Sequence, residues 1–216
     1  MSGASLQSLY DLGYAQSAAV LGTPYQQFRA SGVDNPTGGT PVATPNAWVT
    51  TDPALQGTKP VAYGKPFWFA ALERNALELG DYLIGQDGTF YVNSVIYPAP
   101  VGLVQCNRTV SLLRAADTLQ AGSTGTYSGS AINDAAPYAV GWPVSIQIMG
   151  TSVSNSGMNL PSDGRVGRVL IYAPQTIPAP RFNDVVQDET GARYSVSNVE
   201  LTPLGFRLSA EQWPSS

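Results

Sequence analysis

The chain repeats itself at a fixed step. Laid without a gap from Asn183 onward along the second copy, Asn183–Gln212, the stretch Gly80–Asn107 (GDYLIGQDGTFYVNSVIYPAPVGLVQCN) puts Asp81 on Asp184, Gly88 on Gly191, Tyr91 on Tyr194, Pro100 on Pro203 and Gly102 on Gly205, each pair 103 residues apart. Upstream at the same step, Phe67-Trp68-Phe69-Ala70 meets Leu170-Ile171-Tyr172-Ala173. Matches in one register, with no insertion, predict a tandem pair of similar units.

Each copy reads as a β meander. Tyr82-Leu83-Ile84 is a short apolar strand and Asp87-Gly88 a turn signal, and Thr89 to Tyr97 is rich in the β-branched and aromatic residues that fit a pleated surface. Pro98, Pro100 and Gly102 interrupt the ladder before Leu103 to Leu113 resumes it as a further strand. In the second copy Asp188-Glu189-Thr190-Gly191 supplies the turn and Tyr194 to Leu201 the return strand. With 22 Gly, 17 Pro and 12% charged residues, the composition suits short strands joined by many turns. The expected fold is mainly β: two tandem small β-barrel or meander units, preceded by an N-terminal helix and a Pro-rich extended arm.

The helix is expected over Ser5–Leu21, where Leu6, Leu9, Tyr10, Val20 and Leu21 recur at helical spacing and Gly22 and Pro24 stop it. Gly13 and Ser17 fall on the same face and leave a gap in its stripe. A lone helix cannot bury such a stripe, so it must dock on its own β domain or on a neighbouring subunit. From Thr23 to Lys65 six prolines are spaced through Gly, Thr and Asn, an arm that crosses a surface, with Tyr25, Phe28, Trp48 and Tyr63 as anchors on either another subunit or its own chain. The expected organisation is helix and arm over 1–62, a first β unit over 63–116, a Gly/Ser linker or loop over 117–137 and a second β unit over 138–216, with 152–165 a projecting loop.

The sequence has no histidine and a single cysteine, Cys106. That removes Ser-His-Asp and Cys-His machinery, histidine and thiolate metal sites, and any disulfide within the chain. A carboxylate pair or a Ser-Lys nucleophile survives on paper, but Asp34, Asp87, Asp163 and Asp188 lie where turns want them. The Gly-rich stretch at Gly122–Tyr127 lacks the Lys of a phosphate loop, and a net charge of −4 with eleven basic residues does not make a dedicated nucleic-acid binder. No enzyme, metal or cofactor is expected, and no apolar run is long enough to span a bilayer. The four tryptophans, Trp48, Trp68, Trp142 and Trp213, could form stacking platforms for a host-surface glycan. Core packing is the plainer account of Trp68 and Trp142.

The phrases LYDLGYAQSAAVLGTPYQQFR and GDYLIGQDGTFYVNSVIYPAPVGLVQCNRTVSLLR resemble virion structural proteins of tailed bacteriophages, best over residues 5–29 and 80–114. The resemblance implies a virion protein assembled in the host cytoplasm, a ring of identical subunits in the head-to-tail connector (adaptor, collar or stopper of the neck) or in the tail baseplate. Its partners would be copies of itself, portal, adaptor or tail proteins above and below, and genomic DNA passing without sequence-specific binding. Ring closure asks for a heterologous interface. Leu6, Leu9, Tyr10, Val20, Leu21, Tyr25, Phe28, Trp48 and Tyr63 are its expected subunit-interface residues.

Overall fold

The computed structural model describes residues 3–55, 65–74, 76–114, 135–151 and 167–213. One helix, α1 (Gly3–Leu21), precedes two antiparallel β sheets. The first sheet contains β1 (Thr23–Pro24), β2 (Gln26–Phe28), β3 (Asn46–Thr50), β4 (Phe67–Leu72), β5 (Tyr82–Gly85), β6 (Gly88–Ser94) and β7 (Val101–Cys106). The second contains β8 (Arg108–Arg114), β9 (Ala136–Thr151), β10 (Gly167–Ala173), β11 (Val185–Asp188), β12 (Arg193–Thr202) and β13 (Gly205–Gln212).

The second sheet is a closed barrel in the order β10-β13-β12-β11-β8-β9. The first runs β1-β3-β4-β7-β6-β5-β2. Its two ends, β1 and β2, are consecutive pieces of one extended segment, and Tyr25 N–H donates to the Pro45 carbonyl (2.9 Å) while Gln27 bridges Ala43, so it is nearly closed too. Counting β1 and β2 as one strand, both barrels follow the same path: first, second, third, sixth, fifth, fourth and back to the first. The duplication seen in the sequence is therefore a duplication of topology.

Three expectations about boundaries change. The Pro-rich arm is in part barrel wall, because Thr23–Phe28 and Asn46–Thr50 supply the first and second strands of the first unit. That unit thus begins well before residue 63. The stretch Leu103 to Leu113 is not one strand: it breaks at Asn107, whose side-chain amide pairs with the backbone of Ile146 (2.9 and 2.8 Å), and β8 enters the second barrel. The change of barrel therefore falls at Asn107. Most of the expected linker over 117–137, and the expected projecting loop over 152–165, lie outside the described residues.

Alternation along the strands gives the first barrel two apolar faces. Tyr25, Leu83, Phe90, Val92 and Leu103 fill its interior. The intervening residues form a row across its wall, Phe28 beside Tyr82, Tyr82 beside Tyr91, Tyr91 beside Val104 and Val104 beside Phe67. Phe28, Tyr82, Tyr91 and Val104 share a core with Trp142, Val144, Ile171 and Leu208 of the second barrel. Each such side chain, fully buried, contributes roughly 1.5–3 kcal/mol. Tyr82 crosses the junction, its hydroxyl donating to the Pro143 carbonyl (2.9 Å) and its ring meeting Trp142 edge-on at 6.5 Å. Trp142 Nε1 donates to the Val33 carbonyl (2.6 Å), Asn35 N–H to the Val140 carbonyl (2.6 Å), and Asp34 accepts from Val140 N–H (2.9 Å). This part of the arm docks on the chain's own second barrel.

Each barrel carries the same polar clasp. Asp81 and Asp184, both buried, stand just before the fourth strand, and an arginine at the end of the first strand grips each carboxylate with two hydrogen bonds. Arg29 donates from Nε and Nη2 at 2.8 Å each, Arg114 at 2.8 and 2.7 Å. The same two arginines donate to the carbonyls of Ala76 and Ala179, again 103 residues apart. Backbone N–H groups of Glu78 and Arg181 complete the carboxylates at 2.8 and 2.7 Å. The preceding residue is left-handed in both copies, Gly80 at φ 86° and Asn183 at φ 67°, which Gly and Asn tolerate best.

Candidate interaction surface

The helix α1 lies on β3 and β4 by its small and polar side. Ala18 is buried, and any side chain at Gly22 would overlap the backbone of Ala18 and Ala47, so the close approach requires glycine. The other anchor is a side-chain cluster. Arg74, 6% exposed, is sandwiched between the rings of Tyr14 (4.9 Å) and Tyr97 (4.5 Å), its Nε lies 3.8 Å from the Asp11 carboxylate, and its Nη2 donates to the Ala99 carbonyl. Tyr14 donates to the Pro98 carbonyl (2.7 Å) and Tyr97 to Asp11 (2.6 Å). Donating a hydrogen bond to the Asp11 carboxylate raises the Tyr97 pKa above its ordinary value, and burial raises that of Tyr14.

At 100° per residue the docked side, centred on Asp11, Tyr14 and Ala18, stands more than a quarter-turn from Leu6, Leu9 and Val20, while Tyr10 and Leu21 lie nearer, roughly 50–75° from its centre. The apolar stripe consequently faces solvent. Val20 is 81% exposed, Leu21 57% and Leu9 55%, with Leu6, Tyr10 and the adjacent Leu12 close to half exposed. No residue within Gly3–Leu21 other than Asp11 is charged, and Asp11 faces inward to Arg74 and Tyr97. Ordinary exposed helices carry their charges on the solvent side. This one inverts the pattern.

The expected interface residues therefore separate into two groups. The five helix residues are presented outward. Tyr25 is fully buried inside the first barrel, with its hydroxyl on Asp87 (2.7 Å), Phe28 is buried between the barrels, and Trp48 is half-buried on β3. Tyr25 and Phe28 are fold residues because the segment that carries them is barrel wall, Trp48 keeps part of its surface in solvent, and Tyr63 lies outside the described residues. Among the tryptophans, Trp142 is fully buried and Trp48, Trp68 and Trp213 are half-buried.

A second apolar surface was not foreseen. Where the β12–β13 hairpin meets the first barrel, a groove of about 450 Å³ is lined by Phe67, Tyr172, Leu204 and Phe206, with Arg207 at its edge. Phe67 and Tyr172 meet edge-on at 5.2 Å. Around it Leu201 is 64% exposed and Phe67 and Leu204 more than 40%. Its sequence signal was Leu201 and Leu204, apolar residues on either side of the Thr202-Pro203 turn.

The polar recess at Asn107, Arg108 and Glu189 is internally paired: Arg108 meets Glu189 at 3.1 Å, and Thr109 N–H donates to it at 2.8 Å. Among the described residues no group of three His, Cys, Asp or Glu is placed to hold a metal ion. No helix of the described residues is long and apolar enough to cross a membrane. The chemistry these surfaces offer is burial of apolar area against another macromolecule. Compared with protein-family models, with curated proteins and with solved structures, the chain has no match.

Proposed function

We propose that this chain is a structural subunit of a tailed-phage particle, joining copies of itself into a ring of the head-to-tail connector that lines or seals the DNA passage. The observation that carries the reading is the uncharged apolar stripe of α1, held outward on a pair of barrels that share a core. Surfaces depleted of charge and rich in exposed Leu, Val and Tyr mark the cores of protein interfaces. The likeness of residues 5–29 and 80–114 to phage virion proteins supplies the setting, and the net charge of −4 suits a passage through which DNA moves without sticking. A ring of the tail or baseplate uses the same surfaces.

Mass spectrometry of purified particles from the phage genome encoding this chain, together with electron microscopy, tests the reading. Recovery in stoichiometric amounts, with density for a ring at the neck, is the expected result. Particles that lack the chain overturn it, and density at the baseplate moves it to the tail.

A further inference from the structure

We propose that the ring contact is made by α1 of one copy seating its apolar stripe in the groove between the two barrels of the next copy. This rests on the self-assembly reading above and names its two halves. The occupant follows from the duplication. In the first barrel, the corner between fifth and sixth strands (Tyr97, Pro98, Ala99) is covered by α1 through Tyr14, Asp11 and Arg74. In the second barrel the same corner, at Pro203-Leu204, has no helix of its own among the described residues and shows Leu201 and Leu204 to solvent. The body is duplicated and the helix is not.

Area and charge agree with that pairing. From the exposures of Leu6, Leu9, Tyr10, Leu12, Val20 and Leu21, the outward side of α1 offers on the order of 600 Å² of surface, somewhat below the ~800 Å² per partner of a standard interface. A groove of about 450 Å³ falls within the roughly 300–1,000 Å³ of concave sites that bury an organic group, enough for several side chains. The last turn of α1 has no basic side chain to offset its carbonyl end, and half-exposed Arg207, which meets Glu200 at 3.4 Å, supplies the cation at the groove. This orients the helix with Val20 and Leu21 toward Leu204 and Arg207. Stripe and groove are different surfaces, so the contact is heterologous and can close a ring.

Cysteine cross-linking tests it. Val20→Cys and Leu204→Cys both lie at exposed positions, so the variants fold as the parent does, which circular dichroism verifies. Cys106 is half-buried with its thiol pKa pushed well up by burial, and the otherwise unchanged chain serves as the control. The expected result is a disulfide between mixed V20C and L204C subunits, a ladder of linked oligomers from the double variant, and no V20C homodimer. Leu9→Glu should raise the dissociation constant of the oligomer about tenfold or more. A V20C–V20C dimer, or a wild-type oligomer with no mixed cross-link, overturns the helix-to-groove contact and leaves the ring reading standing. A chain that stays monomeric in light scattering to about 100 μM, or that instead binds vesicles of neutral and anionic phospholipid as a monomer, overturns both.

Discussion

Replacing Arg114 with Met keeps most of the side chain's length and apolar stem and deletes the guanidinium. Asp184, 2% exposed, then retains the Tyr138 hydroxyl (2.8 Å) and the Arg181 N–H (2.7 Å) and loses both arginine bonds, including the one to Oδ1. Breaking a buried pair by removing one partner costs about 3–5 kcal/mol, because a desolvated carboxylate is left behind. The Arg114 side chain keeps 31% of its surface in water, which places the loss near the lower end, about 3 kcal/mol. For a chain of this length that lowers the melting temperature by roughly 6–12 °C. Arg29→Met is the matching experiment in the other barrel: Asp81 keeps Gln27 (2.7 Å) and the Glu78 N–H (2.8 Å), the exposed Arg29–Glu78 pair (2.6 Å) is lost where Arg114→Met loses the stack on Tyr138 (4.2 Å), and the two losses should be similar. One core spans both barrels, so they unfold together, and the double variant should lose the sum, since the two clasps share no partner. Urea and thermal unfolding followed by circular dichroism measure all three. A loss below about 1 kcal/mol at either site, or losses differing by more than about twofold, would refute the account of the clasps as equivalent buried pairs.

Gly80→Ala forces a Cβ onto a left-handed backbone and to 2.6 Å from the Thr176 side chain, so it should cost about 2 kcal/mol in urea unfolding, against about 1 kcal/mol for Asn183→Ala, which meets only the backbone cost. Equal losses would contradict the crowding at Thr176. Burial alone would raise the Asp188 pKa, but hydrogen bonds from Thr190, Tyr194 and Ala192 outweigh it and hold the carboxyl below its ordinary value. Its stabilisation is therefore complete above the unfolded value of about 4 and is lost as pH falls through the lower folded value. Asp188→Asn should flatten the acid limb of the stability profile below about pH 4, and an unchanged limb would show that this carboxylate is not linked to folding. Arg74→Ala removes two ring contacts worth about 1 kcal/mol or more each, so limited proteolysis near Gly22 should quicken at least tenfold while the barrels' melting transition shifts little. Unchanged cleavage would show that α1 is held by other contacts.

The second half of each unit was legible because its spacing is preserved. Tyr82–Gly85 and Val185–Asp188 are the fourth strands in both barrels at the same step of 103, and Asp81 and Asp184 precede them. The first half was hidden by unequal connections: Arg29 lies 52 residues before Asp81 and Arg114 lies 70 before Asp184, so a constant step cannot align them. The tripeptides Phe28-Arg29-Ala30 and Leu113-Arg114-Ala115 were the available signal, at a step of 85. Pro24 and Pro45 further disguised a barrel strand and its partner as an arm, since the strand is short and interrupted. Even the gapless half conceals a slip. Tyr82 pairs with Tyr91, but Tyr194 pairs with Val186 rather than Val185, because Asp188 turns inward to accept from Thr190 and Ala192 and lengthens that hairpin by a residue on one side. For the interaction surface, helical spacing located the stripe correctly, but only the packing of Asp11, Tyr14 and Ala18 on the barrel decides that the stripe is left outside.

The chain breaks an elementary rule in two kinds of place, and only one is repaired within the subunit. Buried carboxylates at Asp81 and Asp184 are matched donor for donor by residues of the same barrel. Among the described residues the apolar face of α1 has no such repair, and a feature that conflicts with solvation without local compensation is best explained by a partner. The magnitudes then favour the proposed closed ring over a single pairing. Buried area does not convert directly to affinity and association costs roughly 4–15 kcal/mol, so one contact with about 600 Å² on its helix side, below the ~800 Å² per partner of a standard interface, is a modest one. In a ring every subunit makes two, and the last to form joins ends already held close together, so its association cost is largely met. A stripe and a groove on different parts of one subunit can each be weak as a pair and still hold a closed assembly firmly.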